Sequence, residues 1–263
     1  MINEKIVENI RRYGAYKDSG QGRYKVLAKD IGFNMDQKAE YVVIGGCLQP
    51  ENRPQVFRAL KDIFEHFKVD YTFLSKEYCC GYVPLGQPEV AKDEEAIAEF
   101  KELARGFIME NFRQAEALGA KSIVLFCAGC EPSYSNCRDA TRLEIISYVE
   151  LLDRYFRGGR LDLEVDYYPG CYRFRSRITA EPIDVEAAMR VLQKIDGLGV
   201  NQLDSSLCCY IPPQLEQLAG SLKTSNLVTI CTGCHFSLNQ YLQERNNYRV
   251  KMLPEIVLEA LQD

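Results

Sequence analysis

The sequence predicts an α/β protein made of two pseudo-symmetric parallel-sheet units flanked by helices, with a short N-terminal arm. Two observations support this fold class. Short apolar runs alternate with segments of helical period, which is typical of parallel strands joined by helical crossovers. A five-cysteine pattern also occurs twice, and both copies follow the same order of predicted elements. We therefore expect an arm over residues 1–40, a first domain over 41–160 and a second domain over 161–263.

The arm contains none of the patterned cysteines. Ile2–Arg12 has the period of a short amphipathic helix, and the polar, glycine-containing stretch Tyr13–Tyr24 follows it. One interpretation is a partly ordered arm. The other is a docking segment for a partner protein, which its basic and aromatic residues favour because such residues are frequent at interfaces. On the second interpretation, we expect its removal to leave the cysteine sites assembled.

The first domain contains three predicted strands, and cysteines follow each of them. In parallel sheets, ligands gather beyond the carboxyl ends of the strands, so this placement predicts a site at one edge of the sheet. A glycine ends the second predicted helix in the usual way. The elements are strands at Tyr41–Ile44, Asp70–Leu74 and Ser122–Phe126 and helices at Pro54–Phe67 and Glu94–Leu118.

The second domain repeats this order, although only two strands are predicted in it. Strands are predicted at Leu163–Tyr168 and Leu227–Ile230, with a helix at Val185–Ile195 between them. The two copies also end in the same way. The segment Ile146–Tyr155 follows the first set of cysteines, and Leu253–Leu261 follows the second. Buried thiols that merely fill two cores would not explain why the same strand ends are used twice.

Ten of the eleven cysteines form the repeated pattern, in which a lone cysteine precedes an adjacent pair and then Cys-x-x-Cys. The lone cysteine and the pair are separated by 31 residues in the first copy and 36 in the second, and the pair and Cys-x-x-Cys by 46 and 21. This elastic spacing indicates loops that bring ligands to one place, twice. The copies are Cys47, Cys79, Cys80, Cys127 and Cys130, and Cys171, Cys208, Cys209, Cys231 and Cys234.

The pattern predicts two metal centres, and the ligand type narrows the metal. Four ligands satisfy structural zinc, so five cysteines per copy are one too many. An iron–sulfur cluster shares several irons among its thiolates and suits this number. Zinc, disulfides and redox thiols stay open, because a cysteine count does not separate them. The chain shows no signal-peptide pattern and no apolar run that could cross a bilayer, so we expect a reduced, cytoplasmic setting.

Composition and motifs argue against other function classes. The net charge of −5 argues against nucleic acid as a partner. The sequence has no G-x-x-x-x-G-K motif and no visible Ser-His-Asp constellation, which argues against P-loop enzymes and serine hydrolases. His66, one of only two histidines, lies within a predicted helix and is expected on its surface.

Short motifs surround the ten patterned cysteines: Gly45-Gly46-Cys47, Cys79-Cys80-Gly81, Cys127-x-x-Cys130, Pro169-Gly170-Cys171, Cys208-Cys209 and Cys231-x-x-Cys234-His235. They resemble the motifs of the heterodisulfide reductase B family, in which a cysteine-rich "CCG" domain occurs in tandem. The resemblance covers residues 41–262. It implies that each copy binds a non-cubane 4Fe–4S cluster through its five cysteines, and that a disulfide is cleaved between the two clusters.

The sequence departs from the family at three points. The second copy has Tyr210 where the family has glycine, and its pair-to-Cys-x-x-Cys gap is shorter than usual. All five ligands are nevertheless present, so we expect a cluster there too. The arm over residues 1–40 has no counterpart in the family. The chain is therefore more similar to the heterodisulfide-reductase-like complexes of bacteria than to the methanogen enzyme.

Several residues outside the ligand sets are further candidates. Arg173, Arg175 and Arg177 alternate after Cys171 and are either a solvated edge or, since arginine suits carboxylate and sulfonate groups, a site for an anionic substrate. His235 is expected to donate a proton to a leaving thiolate or to hydrogen bond a cluster sulfur. Cys137, outside the pattern, is expected to be a buried inert thiol.

Three function classes remain. The first is the catalytic subunit of a thiol/disulfide oxidoreductase complex, and the second is an electron-relay or quinone-reductase accessory subunit, as in glycerol-3-phosphate and succinate enzymes with similar domains. The third is a structural zinc protein. The chain lacks a ferredoxin-type C-x-x-C-x-x-C-x-x-x-C run, so electrons would arrive through a partner with cubane clusters. A flavin-containing subunit and an anionic thiol or disulfide substrate complete the expected partners.

Overall fold

The computed structural model describes residues 3–16, 21–47, 49–81, 93–170, 184, 186–243 and 247–262. These residues form two compact units. The first contains the described residues of Met1–Phe57 and Asp70–Tyr148, so the arm belongs to it. The second contains Arg58–Val69 and the described residues of 149–170 and 184–262.

Each unit contains a four-stranded parallel sheet. In the first, β1 (Tyr41–Ile44), β2 (Tyr71–Phe73), β3 (Ser122–Leu125) and β4 (Glu144–Ser147) lie in the order β2-β1-β3-β4. In the second, β5 (Gly159–Tyr168), β6 (Ile195–Gln202), β7 (Asn226–Thr229) and β8 (Arg249–Met252) lie in the order β6-β5-β7-β8. The strands therefore follow one order in both units, which confirms the predicted fold class.

Helices connect these strands. All residues of β1 and β3 are buried, as expected for parallel strands covered on both faces. Among the described residues the helices are α1 (Glu4–Tyr13), α2 (Gln21–Tyr24), which continues as the π-helical segment Lys25–Ile31, α3 (Gln49–Asn52), α4 (Pro54–His66), α5 (Glu94–Ala117), α6 (Glu131–Ser135), α7 (Tyr148–Tyr155), α8 (Ala187–Gln193), α9 (Pro212–Gly220), α10 (Thr232–Gln243) and α11 (Leu253–Gln262).

The predicted amphipathic helix of the arm is confirmed and is part of the core. Helix α1 begins after Asn3, whose side chain accepts the backbone N–H of Ile6, so one unsatisfied donor of the first turn is capped. On its apolar face, Val7 and Ile10 are buried in the same hydrophobic cluster as Phe112 of α5. Burial of this face ties the start of the chain to the first unit.

The sequence prediction was wrong between β5 and β7. The predicted helix Val185–Ile195 is shorter, and a strand that was not predicted, β6, follows it. Its two glycines, Gly197 and Gly199, are poor strand formers, so pairing with β5 at the sheet edge, and not local propensity, makes this segment a strand. Strands β4 and β8 were also not predicted, because four-residue runs that continue into helices carry little periodic signal.

Asp166 gives a test of how the second sheet is held. Its buried carboxylate accepts the backbone N–H groups of Lys223 (2.9 Å) and Thr224 (2.8 Å) and the side-chain amide of Asn201 (2.5 Å). Asp166→Ala leaves these donors without their acceptor and is expected to lower the free energy of unfolding by about 3 kcal/mol in urea denaturation.

Asp162 of the same strand is the matched control for that change. It is exposed and pairs with Arg160, so Asp162→Ala should change the free energy of unfolding by less than about 0.5 kcal/mol. Equal losses for the two variants would contradict this account of Asp166.

Candidate functional site

The patterned cysteines follow the carboxyl ends of three adjacent strands in each sheet. In the first unit, β1 leads to Cys47, β2 to the pair Cys79–Cys80, and β3 to Cys127 and Cys130. Because β1 lies between β2 and β3, their three loops meet at one edge of the sheet. In the second unit, β5, β6 and β7 occupy the equivalent positions.

The first unit brings all five of its predicted ligands together. The thiols of Cys47 and Cys79 hydrogen bond, and Cys79 in turn bonds Cys80. The thiol of Cys130 hydrogen bonds both the Cys80 and the Cys127 thiol. These contacts form one continuous series of five thiols, although more than 40 residues separate the pair from Cys127.

These thiols lie in an environment that disfavours their charged form. Cys79, Cys80, Cys127 and Cys130 are buried, and Cys47 is half-buried. Hydrogen bonding to Cys79, followed by burial, raises the pKa of Cys47, and bonding to Cys127 and Cys80, followed by burial, raises the pKa of Cys130. A cationic centre would change this balance, because metal ligation replaces the protons of crowded thiols.

A glycine of positive φ precedes the lone cysteine in both copies. Gly46 has φ 86° and Gly170 has φ 85°, in the left-handed region that disfavours other residues. A side chain at Gly46 would also be too close, since its Cβ would lie 3.0 Å from Cβ of Cys127. The glycine therefore lets the first loop approach Cys127, whose Sγ also accepts a hydrogen bond from Gln49 Nε2 (3.7 Å).

Glu77, which the sequence analysis missed, connects the loops of Cys47 and Cys79. Its carboxylate accepts the backbone N–H groups of Gly45 (2.8 Å) and Gly46 (2.9 Å), next to Cys47 in the chain. Burial raises the pKa of Glu77, and Arg23 and the two amides oppose this effect. Because both carboxylate oxygens accept amide protons, the ionised form suits this geometry.

The backbone around Cys79 is held by groups from two other segments. The carbonyl of Gly14, in the arm, accepts the backbone N–H of Cys79 (2.7 Å). Asn111 of α5 accepts the N–H of Tyr78 (2.8 Å), donates to its carbonyl (2.7 Å) and donates to the Tyr134 hydroxyl (2.7 Å). These bonds satisfy buried backbone groups of a loop that has no strand partner.

The arm also contributes a side chain beside the thiols. Burial, followed by the nearby Cys47 and Cys79, raises the pKa of the Tyr16 phenol to about 12. The arm therefore forms part of the first site. Its role as a docking segment stays a prediction, but the expectation that its removal leaves the first site intact does not agree with these contacts. These contacts could not be predicted, because no spacing pattern links Tyr16 to the cysteines.

The second unit brings three of its predicted ligands into contact. Cys234 hydrogen bonds both Cys209 and Cys231, and these bonds, followed by burial, raise its pKa. Cys208 is half-buried, and its backbone N–H donates to Gln214 Oε1 (2.7 Å). Cys171 lies outside the described residues.

Tyr210 changes the loop after the second pair. In the first copy the equivalent Gly81 has φ 73°, whereas Tyr210 is not among the described non-glycine residues with positive φ. Instead, its hydroxyl donates to the carbonyl of Gly233 (3.2 Å), inside the Cys-x-x-Cys loop. Ser237 adds a hydrogen bond to the carbonyl of Cys209 (2.5 Å). The substitution therefore brings a direct link between two ligand loops, and Tyr210 remains 58% exposed.

The other candidates fall into three groups. The buried His235 uses Nε2 to donate to the carbonyl of Val250 (3.1 Å), so its catalytic role stays a prediction. Cys137 is buried as expected, and burial raises its pKa, whereas His66 is exposed on α4. Arg173, Arg175 and Arg177 lie outside the described residues.

None of the ten described cysteines forms a disulfide, so each could ligate a metal as its thiolate. Within the described ranges, no group of three or more His, Cys, Asp or Glu side chains is arranged around the position of a single metal ion. None of the helices in the described part of the chain combines the length and apolar character needed to cross a membrane.

One protein family matches the segment that contains the first thiol series. Residues 41–133 match the model of the CCG cysteine-rich domain family, and this segment contains all five thiols of the first series. The matched segment, residues 41–133, is called the CCG domain. This match is consistent with a protein similar to the heterodisulfide reductase B family, and the CCG domain indicates an iron–sulfur-type subunit of the kind linked to oxidoreductase complexes.

Other comparisons add little. No curated protein matches the chain. Among solved structures, it is similar to glutamate racemase isoform RacE1 from Bacillus anthracis, with 11% identity and a TM-score of 0.38 over 87% of this chain and 80% of that one. It is also similar to the aspartate racemase of Picrophilus torridus, with 10% identity and a TM-score of 0.35 over 86% and 92%. Likenesses this weak carry no argument about function.

The contacts of Asn111 predict that this side chain contributes to the stability of the CCG domain. Asn111→Leu keeps the branched shape of the side chain but removes both bonds to the Tyr78 backbone, and should lower the free energy of unfolding by about 2–4 kcal/mol in urea denaturation. Gln114, one turn later, makes an exposed bond to the carbonyl of Lys76 (3.1 Å), so Gln114→Leu should cost less than about 0.5 kcal/mol. A mild effect of Asn111→Leu would show that the loop does not depend on α5.

Proposed function

We propose that the chain is the iron–sulfur subunit of a heterodisulfide-reductase-like complex, in which it reduces disulfides or oxidises thiols at two 4Fe–4S clusters of non-cubane type. The observation that carries this proposal is the continuous series of five thiols in the CCG domain. Their number exceeds the four ligands of structural zinc, and several irons can share them.

The ligand sets proposed are the ten patterned cysteines. In the CCG domain all five are in contact, as above. In the second unit the contacts of Cys234 with Cys209 and Cys231, and the same strand order, support an equivalent cluster that also uses Cys208 and Cys171. We further propose that the second unit is itself a cysteine-rich domain of the same type, with a loop altered at Tyr210.

The bound clusters would supply electrons and irons that capture the sulfur atoms of a cleaved disulfide. The chain's own residues bind and shield these centres: the buried thiols exclude water, and Tyr210 lies at the exposed side of the second site. We propose that Arg173 and Arg175 orient an anionic substrate. Because Nε2 of His235 donates to Val250, a proton given by His235 to a leaving thiolate would have to come from Nδ1 of the doubly protonated ring.

The partner subunits that we propose would deliver electrons to the clusters. The chain has no ferredoxin-type cysteine run, so a subunit with cubane clusters would deliver electrons, together with a flavin-containing subunit. We propose that the exposed face of the arm contacts such a partner while its buried face completes the first site. Arg11 and Arg12 are on the exposed face of α1.

Substitution of the ligands tests the cluster assignment. Anaerobically purified protein should contain about eight irons per chain, and Cys79→Ser or Cys80→Ser should remove about four of them, together with the electron paramagnetic resonance signal of the first cluster. Cys137→Ser is the matched control, because this buried cysteine lies outside the series, and it should retain all the iron. Zinc in place of iron, or loss of both signals from a folded Cys79→Ser protein, would contradict two separate clusters.

A thiol titration tests the proposed chemistry. A small acidic thiol should change the resonance signal of one cluster in the oxidised protein, since a substrate sulfur bound at iron alters the electronic structure of that cluster. Arg175→Ala should shift the titration to higher thiol concentration with unchanged iron content, because it removes a binding contact. A signal that no thiol changes, in protein that still transfers electrons, would favour the electron-relay subunit.

A further inference from the structure

A buried charged pair lies beside the first site, and one of its members precedes the CCG match in the chain. Arg23 is 1% exposed and Glu77 is 1% exposed. Arg23 Nη2 donates to the backbone carbonyl of Glu77 (2.7 Å), and Nη1 lies 3.9 Å from Oε1 of its carboxylate. Burial of two charges this completely is costly, and removal of one partner would leave the other charge buried and uncompensated.

Glu77 connects the loops of two proposed ligands, Cys47 and Cys79. It accepts the amides of Gly45 and Gly46, the latter immediately before Cys47, and Glu77 itself lies two residues before Cys79. Gly45 and Gly46 are buried, so their N–H groups would otherwise lack an acceptor. One side chain thus fixes the relative position of two ligand loops.

Arg23 compensates the charge of that carboxylate. A buried carboxylate is costly, and the guanidinium, which cannot lose its proton, lowers that cost, while the two amide donors themselves hold Glu77 in its ionised form. Among the described residues, Nη1 has no hydrogen-bond partner, and the contacts of the guanidinium with Glu77 are the Nη2 bond and the ion pair at 3.9 Å. The segment before the CCG domain therefore supplies a compensating charge to the site.

We propose that Glu77 and Arg23 are positioning residues that hold the loops of Cys47 and Cys79 in register and together set the reduction potential of the first cluster. This inference rests on the proposed function, in that a cluster occupies the five-thiol series. A negative charge near a cluster favours its oxidised form and lowers the potential, whereas a positive charge raises it. Each member of the pair therefore opposes the effect of the other.

The test uses three variants of the full chain with both clusters assembled. Glu77→Gln removes a negative charge while keeping one amide acceptor, and should raise the midpoint potential of the first cluster. Arg23→Gln removes a positive charge and should lower it, and the double variant should return close to the wild-type value. The second cluster should keep its potential in all three, as measured by redox titration of the two resonance signals.

Arg105→Gln is the matched control for Arg23→Gln. It changes the net charge equally in the same unit, but the Arg105 side chain is 37% exposed in a surface pair with Asp139, where water screens the change. It should leave both potentials unchanged. An equal shift in Arg105→Gln and Arg23→Gln would show an effect of overall charge and overturn the proposal.

The remaining outcomes are also decisive. Shifts of the same sign in Glu77→Gln and Arg23→Gln, or no shift, would overturn the proposal while normal iron content left the proposed function standing. If a single variant loses the first signal, recovery of that signal in the double variant supports compensation, and its continued loss contradicts it. Wild-type protein without iron would instead contradict the proposed function itself.

Discussion

The bonds from the Glu77 carboxylate to the amides of Gly45 and Gly46 join two loops that the sheet alone cannot align. Strands β1 and β2 bring these loops to the same edge, but hydrogen bonds of the sheet end at Ile44 and Phe73. Beyond those residues, buried backbone groups need partners from elsewhere in the chain. Glu77 supplies two acceptors, and the arm and α5 supply the others, so the positions of Cys47 and Cys79 depend on segments distant in sequence.

The two copies share a framework and differ in how their ligand loops are closed. The strand order is the same, and a glycine of nearly identical φ precedes the lone cysteine in each. The first copy closes its loops with a buried carboxylate, whereas the second uses the Tyr210 hydroxyl and Ser237. The first copy places a buried carboxylate and its guanidinium partner near the proposed cluster, and the second places a phenol there, so two clusters of the same type would have different electrostatic environments.

Much of the fold could be predicted from the sequence, because buried parallel strands such as β1 and β3 are continuous apolar runs with glycine-rich ends. The series of five thiols was also predictable, since identical residue types recur at the same strand ends. Strand β6 could not be predicted, because its glycines favour no strand and only pairing with β5 orders it. Glu77 and Arg23 were missed for a related reason: they are 54 residues apart, and nothing in their local sequence distinguishes them from surface charges.

The five thiols of the CCG domain are proposed to bind one iron–sulfur cluster together, and every other functional proposal depends on that cluster. Diffraction from anaerobically grown crystals, measured on both sides of the iron absorption edge, tests it directly. The account predicts an anomalous iron peak surrounded by the sulfur atoms of Cys47, Cys79, Cys80, Cys127 and Cys130. A zinc peak held by four of these cysteines, or a disulfide between any two of them in the anaerobic protein, would contradict it.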